Sequence, residues 1–190
     1  MLLYTYQTKE AYARLQQEGV LRITAENAHL TLPQREAAWA TGGEKAYRYM
    51  MHRMRLALGE PPEGVVSPIW AFYKWENRRG GTPLQDADYR GQLRITFRVD
   101  RRLVLLSDFD LFTVYVLGDW FLPIDAKESA AMEGAETAPQ LYALCKEISW
   151  DRIFCTNWQD DYVLGKNSGK SIQATLWELR REQVVDTVPV

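Results

Sequence analysis

Apolar positions in this chain recur with two periods, every second residue in some stretches and every third or fourth in others. The alternating stretches are 2–7, 68–75, 92–99 and 171–179, and they predict strands. A short unbroken apolar run, 103–106, predicts a buried strand. In the first strand Leu3, Thr5 and Gln7 share one face, and Leu2, Tyr4 and Tyr6 share the other. In 92–99 the inward set is Leu93, Ile95, Phe97 and Val99. In 171–179 the two sets are Ile172, Ala174, Leu176 and Glu178 against Gln173, Thr175, Trp177 and Leu179.

The stretch Ser67 to Arg79 is central. Pro68 biases Ser67 to an extended backbone, and the aromatic run after it suits a pleated strand. Strict alternation puts Ile69, Ala71, Tyr73 and Trp75 on one face and Trp70, Phe72 and Lys74 on the other. Neither face is polar before Lys74, so both are expected to be covered. Glu76 to Gly81 then forms a charged turn. An aromatic wall that runs into charged groups suits a pocket with a polar mouth, and equally a core strand with a solvated loop.

The longer period predicts helices. Thr8 is a good N-cap for 9–17, with Ala11, Tyr12 and Leu15 inward and Gly19 as the stop. In 44–58, Tyr47, Met50, Met51, Met54 and Leu58 form a buried stripe, while Lys45, Arg48, His52 and Arg55 line another face. Ser107 is expected to cap a helix running to about Phe121. Residues 138–148 form a short helix with Leu141, Leu144, Cys145 and Ile148 inward. Val20–Ile23 reads as extended, 80–88 as a hairpin-like excursion, 123–137 as loop and 165–170 as a turn. Trp150–Phe154 fits a strand and a helix end equally, and Val184, Val185 and Val188 mark a last strand. Residues 24–43, with His29, carry no clear pattern. Strands toward the two ends with helices between predict an α+β fold, with a mixed, mainly antiparallel central sheet and flanking helices.

Length changes this picture little, since 190 residues fit a single domain, 1–190. A formal net charge of −2 argues against a nucleic-acid coat or a polybasic membrane binder. Two cysteines make neither a disulfide framework nor a metal quartet. The first residues lack a basic signal region, and no apolar run reaches membrane-spanning length, so a cytoplasmic protein with no membrane partner is expected.

Candidate chemistry is sparse. Gly165 to Ser171 resembles a phosphate-binding loop but is one residue short and precedes a strand pattern rather than a helix. With His29 and His52 as the only histidines, no nucleophile triad can be assembled, and no metal-ligand spacing occurs. Ser107, Asp108 and Asp110 sit where a strand turns into a helix, a common place for functional carboxylates and equally for plain capping. The Lys45/Arg48/His52/Arg55 stripe suits a solvated face or an anion track.

Five segments together carry a family resemblance. They are Tyr4-Thr5-x-Gln7, Gly19-Val20-Leu21, Pro68 to Trp75, Leu105 to Asp110, and Gln173 to Glu178. In this order they resemble the domain-of-unknown-function family numbered 3841, small bacterial proteins, over nearly the whole chain. The order of elements is also similar to ADP-ribosyltransferase-like domains of the toxins that modify DNA bases. That second resemblance implies a first-strand nicotinamide-ribose contact at Thr5 or Gln7, a central aromatic strand at Tyr73, and a closing motif at Gln173-Ala174. The chain departs from that pattern with Thr175 where a glutamate belongs, and Glu178 lies three residues further on.

What the resemblance implies is a nucleotide-, NAD- or nucleic-acid-binding domain that transfers ADP-ribose. In it Tyr4, Gln7, Tyr73 and Trp75 line the pocket, Arg48 and Arg55 draw in phosphates, and Asp108 and Glu178 are the catalytic carboxylates. NAD is the implied cofactor, and no metal is expected. The alternative is a non-catalytic binding module, toxin- or phage-defence-associated, that uses the same aromatic cleft.

Overall fold

The computed structural model describes residues 1–28, 43–76, 78–135, 138–156 and 171–190. Strand β1 (Leu2–Gln7) leads into α1 (Lys9–Glu18). Thr8 accepts a hydrogen bond from the Ala11 N–H, and Gly19, at φ 79°, closes the helix by donating to the Leu15 carbonyl. Short strands β2 (Val20–Leu21) and β3 (Ile23–Thr24) follow, then helix α2 (Gly43–Leu58). Next come β4 (Val65–Ser67), β5 (Ile69–Lys74), the short helix α3 (Pro83–Asp88) and β6 (Leu93–Arg98). Strand β7 (Leu105–Asp108) runs into α4 (Phe109–Leu111), which continues as a π-helical turn over Phe112–Val116. Helices α5 (Ala126–Ala135) and α6 (Pro139–Ser149) precede β8 (Ile172–Leu176), β9 (Leu179–Arg180) and β10 (Val184–Pro189).

The fold is α+β around a six-stranded sheet of order β10-β6-β1-β5-β8-β7, in which every pairing is antiparallel. Two small sheets, β2-β9 and β3-β4, sit beside it. One face of the large sheet is mainly aliphatic. Leu3, Ile69, Ala71, Ile95, Ala174 and Leu176 pack there with Phe97 and with Ala11 and Leu15 of α1. Leu15 is fully buried, a contribution of about 1.5–3 kcal/mol. The other face is aromatic and divides in two. Tyr4, Tyr6 and Phe72 form one cluster. Ala46, Met50 and Met54 of α2 form the other, with Phe112, Trp150 and partly buried Trp70 and Leu105.

Several boundaries differ from the pattern reading, each for a local reason. Arg101–Leu103 is a 3-10 turn capped by Asp100, so the fourth strand starts at Leu105 rather than 103. Ser107 therefore lies inside β7, and Asp108 is the cap, accepting from the Leu111 N–H at 3.0 Å. The helix expected to reach Phe121 ends earlier, because Asp119 takes φ 57° after the π-helical turn. The excursion at 80–88 contains α3, and the loop at 123–137 contains α5.

Helix α6 presents the opposite face to that expected. Leu141, Leu144 and Ile148 are 55%, 59% and 62% exposed, whereas Lys146 and Ser149 are buried. Lys146 donates to Asp119 at 2.7 Å, and Ser149 Oγ accepts from the Leu122 N–H at 2.9 Å. These two polar contacts to the chain at 119–122 orient the helix against its own apolar stripe.

In β5, a bulge falls between Phe72 and Lys74 in the pairing with β8. One extra residue reverses the alternation beyond it. Tyr73 keeps the aliphatic face that alternation gives it with Ile69 and Ala71, while Trp75 crosses over to join Phe72. The expected strand at 171–179 breaks at Trp177–Glu178, and Leu179 pairs with β2 instead, together with Arg180. His29 and the turn at 165–170 lie outside the described residues. No helix among the described residues is long and apolar enough to cross a membrane.

Candidate functional site

A half-open cleft of about 150 Å³ lies on the aromatic face, at the seam between its two clusters. Its floor is sheet: Tyr6 of β1, Trp70 and Phe72 of β5, and Gln173 of β8. Tyr89, just after α3, forms one wall. Phe109, Phe112 and Thr113 form another, and Tyr47 of α2 closes the side. The π-helical turn matters here, because π-type turns are frequent at functional sites and this one supplies Phe112 and Thr113.

Rings hold one another around the opening. Tyr6 and Tyr89 stack nearly parallel, with centroids 4.0 Å apart and planes 5° from coincidence. Phe109 meets Phe72 at 5.5 Å and Trp75 at 5.2 Å. Trp70 sits between Tyr47 at 5.3 Å and Phe112 at 5.1 Å. Gly81 allows the chain to pass close to Tyr6, since a Cβ there would lie 2.9 Å from the Tyr6 hydroxyl and 2.5 Å from Arg94 Cδ.

The polar groups near the cleft are mostly tied to the scaffold. Tyr4 donates to Gln85 Oε1 at 2.9 Å, and Tyr6 donates to Asp86 Oδ1 at 2.7 Å. Asp86 is also ion-paired with Arg94. Burial pushes both the Tyr4 and Tyr6 phenols well above their ordinary range, and for Tyr6 the bond to Asp86 adds to it. Both therefore stay neutral near pH 7 and neither supplies a phenolate base. Gln173 Nε2 donates to Ser107 Oγ at 3.0 Å. Trp70 Nε1, buried, has no hydrogen-bond partner among the described residues.

None of the eight residues assigned to the pocket or to the chemistry lines this cleft, although Gln173, the closing motif of the second resemblance, does. Tyr4 lies beside it, its ring 5.7 Å from Phe72, and Trp75 backs Phe72 and Phe109. Gln7 is on the aliphatic face, donating to Thr5 Oγ1, which in turn donates to the Trp70 carbonyl at 2.7 Å. Tyr73 is on that face too, with Arg79 5.1 Å over its ring. Arg48 pairs with Glu44 at 3.1 Å and Arg55 with Glu60 at 3.4 Å, both at the surface of α2. Asp108 caps α4.

Glu178 is held at the β8–β9 bend by Arg22 at 2.7 Å and Arg180 at 2.6 Å. Burial alone would raise its carboxyl, but the hydrogen bonds from the two arginines outweigh burial and hold it below the ordinary range. Among the described residues no Asp or Glu lines the cleft, and no three His, Cys, Asp or Glu side chains converge as they would around a metal ion.

The lining residues that the pattern reading passed over are Tyr6, Tyr89, Phe109, Phe112 and Thr113. Tyr6 was within reach, because alternation places it on the face of Tyr4. Phe109 and Phe112, three apart on one helical turn, carried a weaker signal. Tyr89 carried none, since only α3 brings it over β1.

No curated protein and no solved structure matches this chain. A family model matches it over residues 2–185, and the chain belongs to the family described as Domain of unknown function (DUF3841).

Proposed function

We propose that this chain is a binding module for a nucleotide-like ligand whose planar ring enters the aromatic cleft. The observation that carries this reading is the set of rings from separate elements, Tyr6, Tyr47, Phe72, Tyr89, Phe109 and Phe112, around a space of about 150 Å³. A cavity of about that size accommodates a single six-membered ring. Stacking of a base on aromatic side chains is worth about 1–3 kcal/mol per base, enough to give affinity without charge. A net charge of −2 fits a small ligand or a single base better than a long nucleic-acid track.

A binding role is favoured over an ADP-ribosyltransferase-like reaction on NAD. That chemistry needs a carboxylate at the reacting sugar carbon, and Asp108 and Glu178 are engaged in capping and ion pairing away from the cleft lining. The phosphate role assigned to Arg48 and Arg55 loses weight for the same reason, since each already faces a glutamate.

The test is calorimetric titration with adenosine, uridine, AMP, UMP and NAD. At least one is expected to bind, and Tyr89→Ala and Phe109→Ala are each expected to weaken it about tenfold, the equivalent of 1.4 kcal/mol. Absence of binding by the whole panel at millimolar concentration overturns the reading.

A further inference from the structure

The structure assigns to Trp70 a selecting role. We propose that its indole N–H is reserved for a hydrogen-bond acceptor on the entering ring. The ligand class is then a planar six-membered ring with a ring nitrogen or carbonyl oxygen at its edge, and hydrocarbon rings are disfavoured. This rests on the reading of the cleft as a ring-binding site.

Three observations converge on this residue. First, its position is fixed. It pairs with Thr175 of β8 in the middle of the sheet, and its carbonyl accepts the Thr5 hydroxyl at 2.7 Å. The indole is then clamped between Tyr47 and Phe112, both of which line the cleft. Second, the N–H is shut away from solvent and no described residue accepts from it. An indole has only this donor and no acceptor, so the group cannot be satisfied by rearranging protons.

Third, two other buried indoles of the chain are satisfied, although two buried polar atoms away from the cleft lining, Gln85 Nε2 and Thr187 Oγ1, share the unpartnered state of Trp70. Trp150 donates to the Trp120 carbonyl at 2.7 Å, and Trp177 donates to the Gly59 carbonyl at 3.1 Å. Both of those indoles are buried and both serve the scaffold. Trp70 is different in having a cleft beside it and no carbonyl. A buried donor without a partner is costly, and a fold that keeps one calls for an explanation such as a functional role or a bound group. A site with such a donor discriminates sharply against an analogue lacking the matching acceptor, because binding it leaves the donor buried and unpaired.

Pyridine and benzene form the discriminating pair of probes, since they share one shape and differ by a single acceptor atom. The full chain, labelled with nitrogen-15, gives an indole N–H resonance for each tryptophan, and loss of one in Trp70→Phe identifies Trp70. Pyridine is expected to move the Trp70 indole resonance downfield and to bind at least threefold more tightly than benzene. Trp70→Phe should remove that preference, bringing the pyridine and benzene affinities to within about twofold of each other.

The selecting role is overturned if both probes shift the backbone amides of Phe109 and Phe112 equally while the Trp70 indole resonance stays in place. That result would leave the ring-binding cleft standing, with the N–H turned to the Tyr47 ring face instead. If neither probe perturbs the cleft amides, the ring-binding reading falls and the selecting role falls with it. The wild-type resonance decides the matter even where Trp70→Phe fails to fold, because its through-space contacts with the Tyr47 and Phe112 rings then assign it.

Discussion

The two faces of the central sheet are packed with different shapes. Beneath α1 the side chains are branched and flexible, Leu3, Leu15, Ile69, Ile95 and Leu176, and all of them are essentially fully buried. On the opposite face the same strands present Tyr4, Tyr6, Trp70 and Phe72. Aliphatic side chains interdigitate until the space is filled. Planar rings prefer edge-to-face and offset contacts with centroids several ångströms apart, and they cannot bend to close what remains. The cleft lies on the ring-lined face, between Tyr6, Phe72, Phe109 and Phe112. The difference teaches that a site can arise from the shape of its wall residues without any charged side chain in its lining.

The largest test of this contrast is a matched pair of deletions. Phe97→Ala, on the aliphatic face and fully buried, is expected to cost about 3–5 kcal/mol in urea unfolding. Phe109→Ala, half-buried at the edge of an existing space, is expected to cost less than half of that. Equal losses would break the comparison. Next comes Tyr6→Phe, which keeps the ring stacked on Tyr89 but removes the donor to Asp86. A loss of about 1 kcal/mol is expected, with ligand affinity unchanged within twofold. A large fall in affinity would mean that the hydroxyl, rather than the ring, serves the cleft.

Acid reaches both sides of the sheet, and its effect is smaller. Glu178, beside the aliphatic face, and Asp119, beside α2, both titrate below their ordinary values in the fold. For Asp119, burial works against this and is outweighed by Lys146 and Lys45. A carboxylate with a depressed folded pKa stabilises above its unfolded pKa, and that contribution disappears as pH falls through the folded value. Thermal stability should therefore drop between about pH 5 and pH 3, and the drop should be shallower in Asp119→Asn. An unchanged slope in that variant would remove Asp119 from the account. The smallest effect belongs to Arg48→Gln with Arg55→Gln, expected within about 0.5 kcal/mol of wild type and without influence on cleft binding.

Much of the scaffold was legible because its periods are local. Leu3, Ile95, Phe97, Met50 and Met54 declare their faces through spacing alone, and the fold places all of them inside. The site was less legible because its making is non-local. Tyr73 and Trp75 share a face in any ideal strand, and only the mismatch of β5 against β8 separates them. Glu178 was read on a straight strand, whereas Arg22, 156 residues earlier, draws it to the bend. The wheel of α6 correctly groups Leu141, Leu144 and Ile148, but the choice of which side to bury was made by Asp119 and Leu122. Pattern gives membership of a face; distant partners decide its orientation.

The place of β8 in the sheet has a kinetic consequence. It slots between β5 and β7, both of which precede it by at least 64 positions, from Asp108 to Ile172. Until residues 172–176 arrive, two strand edges stand bare, one of them bearing Trp70 and Phe72. Closing so long a loop before any pairing is gained makes the last step slow, and open apolar edges in the meantime invite pairing between chains. During synthesis this protein passes through a stage in which its most aromatic strand is also its least protected, and holding that stage brief or shielded is a condition for a good yield of folded chain.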